Sequence, residues 1–413
     1  MKIAVVGAGS TYTPELVSGL GSFDVRVDEL ALMDVDDERL DVVGGLAARM
    51  LDRTGWGGDL SLTADLDRAL DGADFVLLQI RVGGQAARLR DETIPLACGC
   101  IGQETTGAGG LAKAMRTVPV VLQIADRARE LAADDAWIVD FTNPVGIVTR
   151  ALLNAGHRAV GLCNVAIGFQ RHLARLLGVE PRRVVVDQVG LNHLTWVRRV
   201  VLDGRDVLPE LLEAHADELS EHTGVERRVL DDLAVLPSYY LHYFYDHDRV
   251  LAELRDSTPR AARVAEIERQ LLELYRDPAT TSKPPLLEQR GGAFYSEAAV
   301  GLVASLVRDD GAVHEVDVRN NGVLSGLADD DVVEVPARVR AGVVDPLPQA
   351  PLAPELLGLV QHVAAYERLA AEAAVTRDPV TVRKALLAHP LIGQVAQVDA
   401  LLEAALLETE VPR

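Results

Sequence analysis

Short apolar runs separated by helical stretches organise the first 165 residues. The runs fall at 2–6, 29–34, 60–63, 73–80, 136–141 and 158–163. Each is bounded by turn residues, and most lack strict alternation, as strands buried on both faces do. Strand and helix in regular alternation predict a doubly wound parallel sheet over residues 1–165. Beyond it the pattern changes. Residues 205–235 read as acidic helix, 260–277 as a helix stopped at Asp277-Pro278, and 277–292 as a Pro- and Gly-rich loop. A further helix is expected at 297–307, then antiparallel strands over 312–340 with an Asn320-Asn321-Gly322 turn. Alanine- and leucine-rich helix over 352–409 is expected to pack on this second half. The fold class is therefore α/β: a Rossmann-like N-terminal domain (1–165) followed by an α+β domain (166–413).

Composition narrows the field. The chain has 413 residues, 48% of them hydrophobic, which gives room for two domains and excludes disorder. No apolar run is long enough to span a bilayer, and no secretory leader is visible at the start. Three cysteines, Cys98, Cys100 and Cys163, fit a reducing, cytoplasmic setting better than a disulfide framework. A net charge of −21 argues against nucleic acid and against anionic membrane surfaces as partners. An anionic small-molecule substrate would need a local arginine cluster. Of the basic residues only Lys2, Lys113, Lys283 and Lys384 are lysine, which reads as base bias in the gene.

The first strand carries the clearest chemistry. Ile3–Val6 runs into Gly7-Ala8-Gly9-Ser10-Thr11, and Thr13-Pro14-Glu15 then starts a helix with a hydroxyl cap, an early proline and an early carboxylate. Strand, glycine turn and helix N-terminus together make an anion cradle of the kind that takes a dinucleotide pyrophosphate. Tyr12 stands where the third small residue of the G-x-G-x-x-G fingerprint would be, so a plain strand-to-helix turn is the alternative. Asp34 ends the second run, where a carboxylate accepts ribose hydroxyls and repels a 2′-phosphate. That favours NAD over NADP, although Asp36 and Asp37 leave a solvated acidic turn open.

Other polar residues cluster at strand ends, where ligands bind in such sheets. The fourth run leads into Arg81-Val82-Gly83-Gly84 and Arg88. The glycine-rich stretch 101–110 follows, suggesting close backbone approach to a ligand or a lid. The fifth ends in Thr142-Asn143-Pro144, an amide able to meet sugar hydroxyls or a simple cap. The sixth ends in Cys163-Asn164. His193 lies in Gly190-Leu191-Asn192-His193. Thiol and imidazole fit a metal pair, a nucleophile–base pair or ordinary packing. Pro237-Ser238-Tyr239-Tyr240-Leu241-His242-Tyr243-Phe244-Tyr245 reads as an aromatic helical stripe, either core or a source of a proton-carrying tyrosine.

Taken together, these stretches resemble the NAD-dependent glycosidases of glycoside hydrolase family 4. Gln79–Gly84, Ile101–Gly107, Phe141–Pro144, Gly161–Asn164 and Arg290-Gly291-Gly292-Ala293-Phe294-Tyr295-Ser296-Glu297 carry the match with the residues above, in family order. The family is an exception to the two-carboxylate route of glycoside hydrolysis. The resemblance implies C3 oxidation by NAD, C2 deprotonation, elimination of the aglycone, water addition and re-reduction. It implies Cys163 and His193 as ligands of Mn²⁺, where ligand softness alone suggests zinc or iron. Tyr240 would be the C2 base, with Tyr239 its rival, and Glu104 would tune it. Arg88 and Asn143 would bind substrate, and Arg260, with Arg263 as rival, would meet a 6-phosphate. Asn164, where α-specific members tend to carry aspartate, implies the 6-phospho-β-glucosidase branch. Those enzymes usually continue Cys-Asn-x-Pro, and here Val165-Ala166 follows. The implied substrate is a phosphorylated disaccharide or glucoside, and the assembly a homodimer or homotetramer. The alternatives are another specificity within the family, a 2-hydroxyacid-type dehydrogenase, and an inactive NAD-binding sensor.

Overall fold

The computed structural model describes residues 1–20, 25–291, 294–404 and 407, without the side chains of 295 and 296. Gly292 and Ala293 of the glycine motif, and the end of the tail expected as helix to 409, lie outside the described residues. The strands are β1 (Lys2–Val6), β2 (Glu29–Met33), β3 (Asp59–Thr63), β4 (Phe75–Leu78), β5 (Trp137–Asp140), β6 (Ala159–Gly161), β7 (Val184–Leu191), β8 (Leu194–Leu202), β9 (Arg205–Asp206), β10 (Leu236–Pro237), β11 (Val313–Arg319), β12 (Val332–Arg340) and β13 (Val343–Pro346). Among the described residues they form one 13-stranded sheet, in the order β10-β8-β7-β12-β11-β6-β5-β4-β1-β2-β3, with β13 added on β12 and β9 on β8.

β3-β2-β1-β4-β5-β6 is parallel throughout, the doubly wound order whose direction reverses between β1 and β4. β1 and β2 are buried almost end to end, which explains their unalternating sequence. From β6 onward the pairing is antiparallel, and the sheet continues without a break into the second half of the chain. The boundary expected at 165 therefore falls at the first residue of the helix Val165–Leu177, beside a ladder that crosses it.

Several elements differ from their sequence expectation. Thr13 is the first residue of the helix Thr13–Leu20, and its hydroxyl donates to the Ala8 carbonyl at 2.8 Å and does not cap the helix. Gly107–Gly110 is the first turn of the helix Gly107–Leu131. A Cβ on Gly102 would lie 1.9 Å from the Glu92 carbonyl oxygen, and one on Gly109 2.3 Å from that of Gln103. The close approach these glycines allow is to protein backbone. The aromatic stripe is not one helix: β10 pairs with β8, Tyr239–Leu241 is a single 3₁₀ turn, and His242–Tyr245 a short helix. Residues 320–323 do turn, with Asn321 and Gly322 at positive φ, but the return strand begins only at Val332. The tail helix Pro354–Thr376 packs on Gly107–Leu131 and Val145–Asn154 of the first half, its Tyr366 hydroxyl donating to the Gly107 carbonyl. Among the described residues no helix is long and apolar enough to cross a membrane.

Candidate active site

The β1 turn sits at the reversal point of the sheet. Gly7 has φ +92°, and a Cβ there would lie 2.9 Å from the Gln79 carbonyl group. Its amide and that of Ala8 donate to the Met33 carbonyl, which ties the turn to the end of β2. Gly9 donates to Asp34 at 2.7 Å, and a Cβ on Gly9 would strike that carboxylate. Asp34 also accepts from the Asp36 amide, so it holds the turn, and an ionised carboxylate keeps lone pairs to spare. The Ser10 hydroxyl accepts from the Tyr12 amide. Thr11 is fully buried and donates to Glu268, a carboxylate that also receives Arg290 and Gln85. Tyr12 fills the missing small position and packs under the Arg290 guanidinium, 5.2 Å from the ring centre.

The chemistry gathers at the far ends of β4–β7. β7 and β8 form a hairpin whose two-residue turn is Asn192-His193, and His193 is held at φ +62°. A non-glycine residue there stores strain of about 1–3 kcal/mol, which persists only where surroundings enforce it. The ring of His193 stacks on that of Tyr240, with centres 3.6 Å apart and planes 9° from parallel. Its Nδ1 meets the Thr105 hydroxyl at 2.9 Å, which orients the ring and leaves Nε2 for a ligand. Burial, then Lys113, pushes the imidazole down to about 3, so it is neutral at ordinary pH, as a metal ligand must be.

Cys163 follows β6, and its thiolate is opposed by burial and favoured by the nearby Val165 amide and Asn192 side chain; it also lies in the field of Tyr240. Burial first, then Glu334 and Asp317, pushes its thiol well above the usual range. Tyr240 is likewise pushed well up by burial, then by Cys163, Tyr243 and Glu104, with Arg88 opposing. Left to the protein's own field, both groups stay protonated. A divalent cation held by Cys163 and His193 would reverse that, because its charge would favour thiolate and nearby phenolate together. Neutral imidazole, buried thiol, the donorless Oδ1 of Asn143 at the tip of β5 and the Gly7–Gly9 cradle therefore fit a divalent cation beside a dinucleotide. No group of three or more His, Cys, Asp and Glu residues able to hold a metal occurs among the described residues, so remaining coordination falls to other oxygens.

Glu104 is buried among three cations: Arg81, Lys113 at 2.6 Å and Arg88 at 3.2 Å. Burial raises its pKa, but Arg81, Lys113 and Arg88 together outweigh this and hold it well below the carboxylate range. Arg88 also pairs with Glu92 at 2.7 Å. A cavity of about 250 Å³ opens beside Tyr240, lined by Arg88, Gln103, Tyr239, Arg260 and Arg263. Arg260 donates to the carbonyls of Gln289 and Arg290, whereas the Arg263 guanidinium has no hydrogen bond or ion pair among the described residues. Burial, then Arg88 and Arg263, lowers the Arg260 pKa, with Glu92 opposing. Asn164 precedes the helix Val165–Leu177 beside Cys163 without a side-chain cap bond.

The sequence reading placed no role on Lys113, Thr105 or Asn192. Lys113 stands in Leu111-Ala112-Lys113-Ala114-Met115, and a lone lysine inside an apolar helical run was the available signal.

Doubly wound sheet, glycine turn and a thiol–imidazole–phenol cluster beside an arginine-lined cavity define an enzyme of dehydrogenase-like construction. Comparison with known proteins makes this specific. Residues 2–179 match the family 4 glycosyl hydrolase model, and residues 188–392 match that of its C-terminal domain. The chain is 42% identical to a probable 6-phospho-beta-glucosidase of Bacillus subtilis, covering 98% of this chain and 96% of the relative. A Thermotoga maritima 6-phospho-beta glucosidase solved with NAD and glucose-6-phosphate is 36% identical, with a TM-score of 0.93 over 99% of this chain and 97% of that one. Another structure of that protein holds manganese, NAD⁺ and glucose-6-phosphate. A lactate dehydrogenase at 14% identity and TM-score 0.56, covering 91% of this chain and 98% of its own, shares the fold alone. The protein belongs to family 4 of the glycosyl hydrolases, and it is a glycosidase.

Proposed function

We propose that the protein hydrolyses 6-phospho-β-glucosides with NAD and Mn²⁺ as cofactors. The observation that carries this reading is the stack of Tyr240 on His193 beside Cys163, with unpaired arginine charge across the cavity. When bound, NAD supplies a hydride acceptor that is refilled within each turnover, and the cation supplies a Lewis acid for the sugar hydroxyls.

The chain's own residues do the rest. The glycine turn Gly7–Thr11 and the N-terminus of the helix behind it would receive the pyrophosphate, and Asp34 would accept the ribose hydroxyls. Cys163 and His193 hold the cation. Arg260 and Arg263 grip the 6-phosphate, Arg88 and Asn143 orient the ring hydroxyls, and Asn164 lies on the aglycone side. With C3 at the ketone level the C2 hydrogen is acidic, and Tyr240 takes that proton as the C1–oxygen bond breaks and the aglycone oxygen leaves with the electron pair, taking a proton from solvent. After water has added at C1, Tyr240 returns a proton to C2. Glu104 fixes Arg81, Arg88 and Lys113 and so sets the charge around the phenol. Residues 1–165 bind the cofactor, and 166–413 share the substrate with Arg88, Asn143 and Asn164 of the first half. A cytoplasmic setting fits three cysteines free of disulfides, and a homodimer or homotetramer is taken from the family resemblance.

A panel of α- and β-linked glycosides, with and without a 6-phosphate, assayed with NAD, Mn²⁺ and a thiol reductant tests the reading. Turnover is expected for the phosphorylated β-glucoside, without net NADH and with solvent deuterium entering at C2. Product free of deuterium at C2 rejects the elimination route.

A further inference from the structure

Four residues stand side by side across four neighbouring strands beneath the cation ligands. Gly161 of β6 pairs with Asp317 of β11, Asp317 with Glu334 of β12, and Glu334 with Gly190 of β7. Directly opposed residues share one face of a sheet, so the two carboxylates lie together with a glycine on either side. The glycines are required: a Cβ at Gly161 would lie 2.8 Å from that of Asp317, and one at Gly190 2.1 Å from the Leu194 carbonyl oxygen. Cys163 comes two residues after one glycine and His193 three after the other.

One side chain joins this row to the ligands. The Asn192 amide donates to Glu334 at 2.9 Å and to Asp317 at 3.5 Å, and the same side chain lies beside the Cys163 sulfur, whose thiolate it favours. Gln188 steadies Glu334 from the other side at 2.6 Å. Asp317 and Glu334 are both almost wholly buried, and Asp317 Oδ1 has no donor. Buried carboxylates cost stability unless they are compensated, and no cation pairs with this couple among the described residues. They raise the Cys163 thiol, as does the burial that precedes them in effect. A cation on the sulfur turns that same negative field into attraction.

We propose that Asp317 and Glu334, acting through Asn192, are positioning residues that aim the Cys163 sulfur and set how tightly the site holds its divalent cation. Burial, and for Asp317 also repulsion from Glu334, pushes both carboxyls up, Glu334 to about 7, so the pair holds a proton between them and sets roughly one negative charge behind the sulfur, with Asn192 between that charge and the ligands. The inference rests on Cys163 as a cation ligand, and the experiment separates the two.

Mn²⁺ is titrated calorimetrically into the NAD-loaded protein, and NAD affinity is measured alongside. Glu334→Gln, Asp317→Asn and Asn192→Ala are each expected to weaken Mn²⁺ binding roughly 10–100-fold, the usual effect of removing a partner behind a metal ligand. NAD affinity stays within about twofold, and added Mn²⁺ restores kcat. Glu315→Gln, which removes a half-buried acid of β11, leaves the Mn²⁺ affinity unchanged. Mn²⁺ affinity unchanged in the three variants, with Cys163→Ser still losing it, overturns the proposal and spares the ligand assignment. Mn²⁺ affinity unchanged in Cys163→Ser overturns both. Parallel loss of NAD and Mn²⁺ binding in every variant that folds assigns the row a structural role and also overturns the proposal.

Discussion

Replacing Glu104 by glutamine removes one negative charge from between three cations. The carboxylate is buried and contacts Arg81, Lys113 and Arg88 at hydrogen-bond distance, so its loss strands charge with no water to solvate it. Breaking a buried ion pair by deleting one partner costs about 3–5 kcal/mol. An unfolding entropy of about 2.1 cal/mol/K per residue, over 413 residues, gives roughly 0.9 kcal/mol/K. Glu104→Gln should therefore lower Tm by about 3–6 °C. The fall is bounded because Lys113 can shed its proton: burial first, and Arg81 next, already bring it down to about 7 despite Glu104. Adding Lys113→Met to Glu104→Gln removes one stranded cation, and the double variant should recover roughly half of the loss. Differential scanning fluorimetry of the four proteins, with and without NAD, makes the measurement. A Glu104→Gln protein melting within about 1 °C of the parent, or a double variant with strictly additive losses, refutes the argument.

Three more outcomes follow from the same geometry. Tyr240→Phe should lower kcat by roughly 10²–10⁴-fold with KM little changed, and stop deuterium entry at C2; a variant above about a tenth of parental kcat removes Tyr240 as the base. Arg263→Ala should raise KM for a 6-phosphoglucoside about 10–100-fold, a charged hydrogen bond being worth ~1.5–3 kcal/mol; an unchanged KM assigns the phosphate to Arg260. Lys113 binds its proton more weakly folded than unfolded, so between about pH 7 and 10.5 the unfolded chain carries more protons and Lys113 makes stability rise with pH. Lys113→Met should flatten urea-unfolding stability over that range, and an unaltered slope shows that the amine titrates normally.

The parallel half of the sheet is legible because its strands are buried on both faces and announce themselves as apolar runs. The β7–β8 hairpin is not, since Val184–Leu202 mixes arginine, aspartate and glutamine into strands whose polar residues pair across the sheet, as Gln188 does with Glu334. The glycines at 102, 109 and 110 are visible as glycines, but sequence alone does not say whether backbone or ligand comes close. Cys163, His193 and Tyr240 are far apart in the chain and ordinary as residue types; motif order suggested them, and the hairpin tip with the 3₁₀ turn brings them together. Lys113 stands out as a lone lysine in an apolar helical run, but its role shows only once its buried partner Glu104 is known.

The ladder that carries β6 into β11 leaves the halves of this enzyme no seam along which to open. Substrate traffic past Tyr239 and Arg263 must then rely on side chains and surface loops, since a clamshell rotation would tear main-chain pairing. A fragment ending near residue 179 would present the bare rim of β6 to solvent, an invitation to self-association. Swapping one half for that of a cousin would succeed only if the Gly161–Asp317 register came with it.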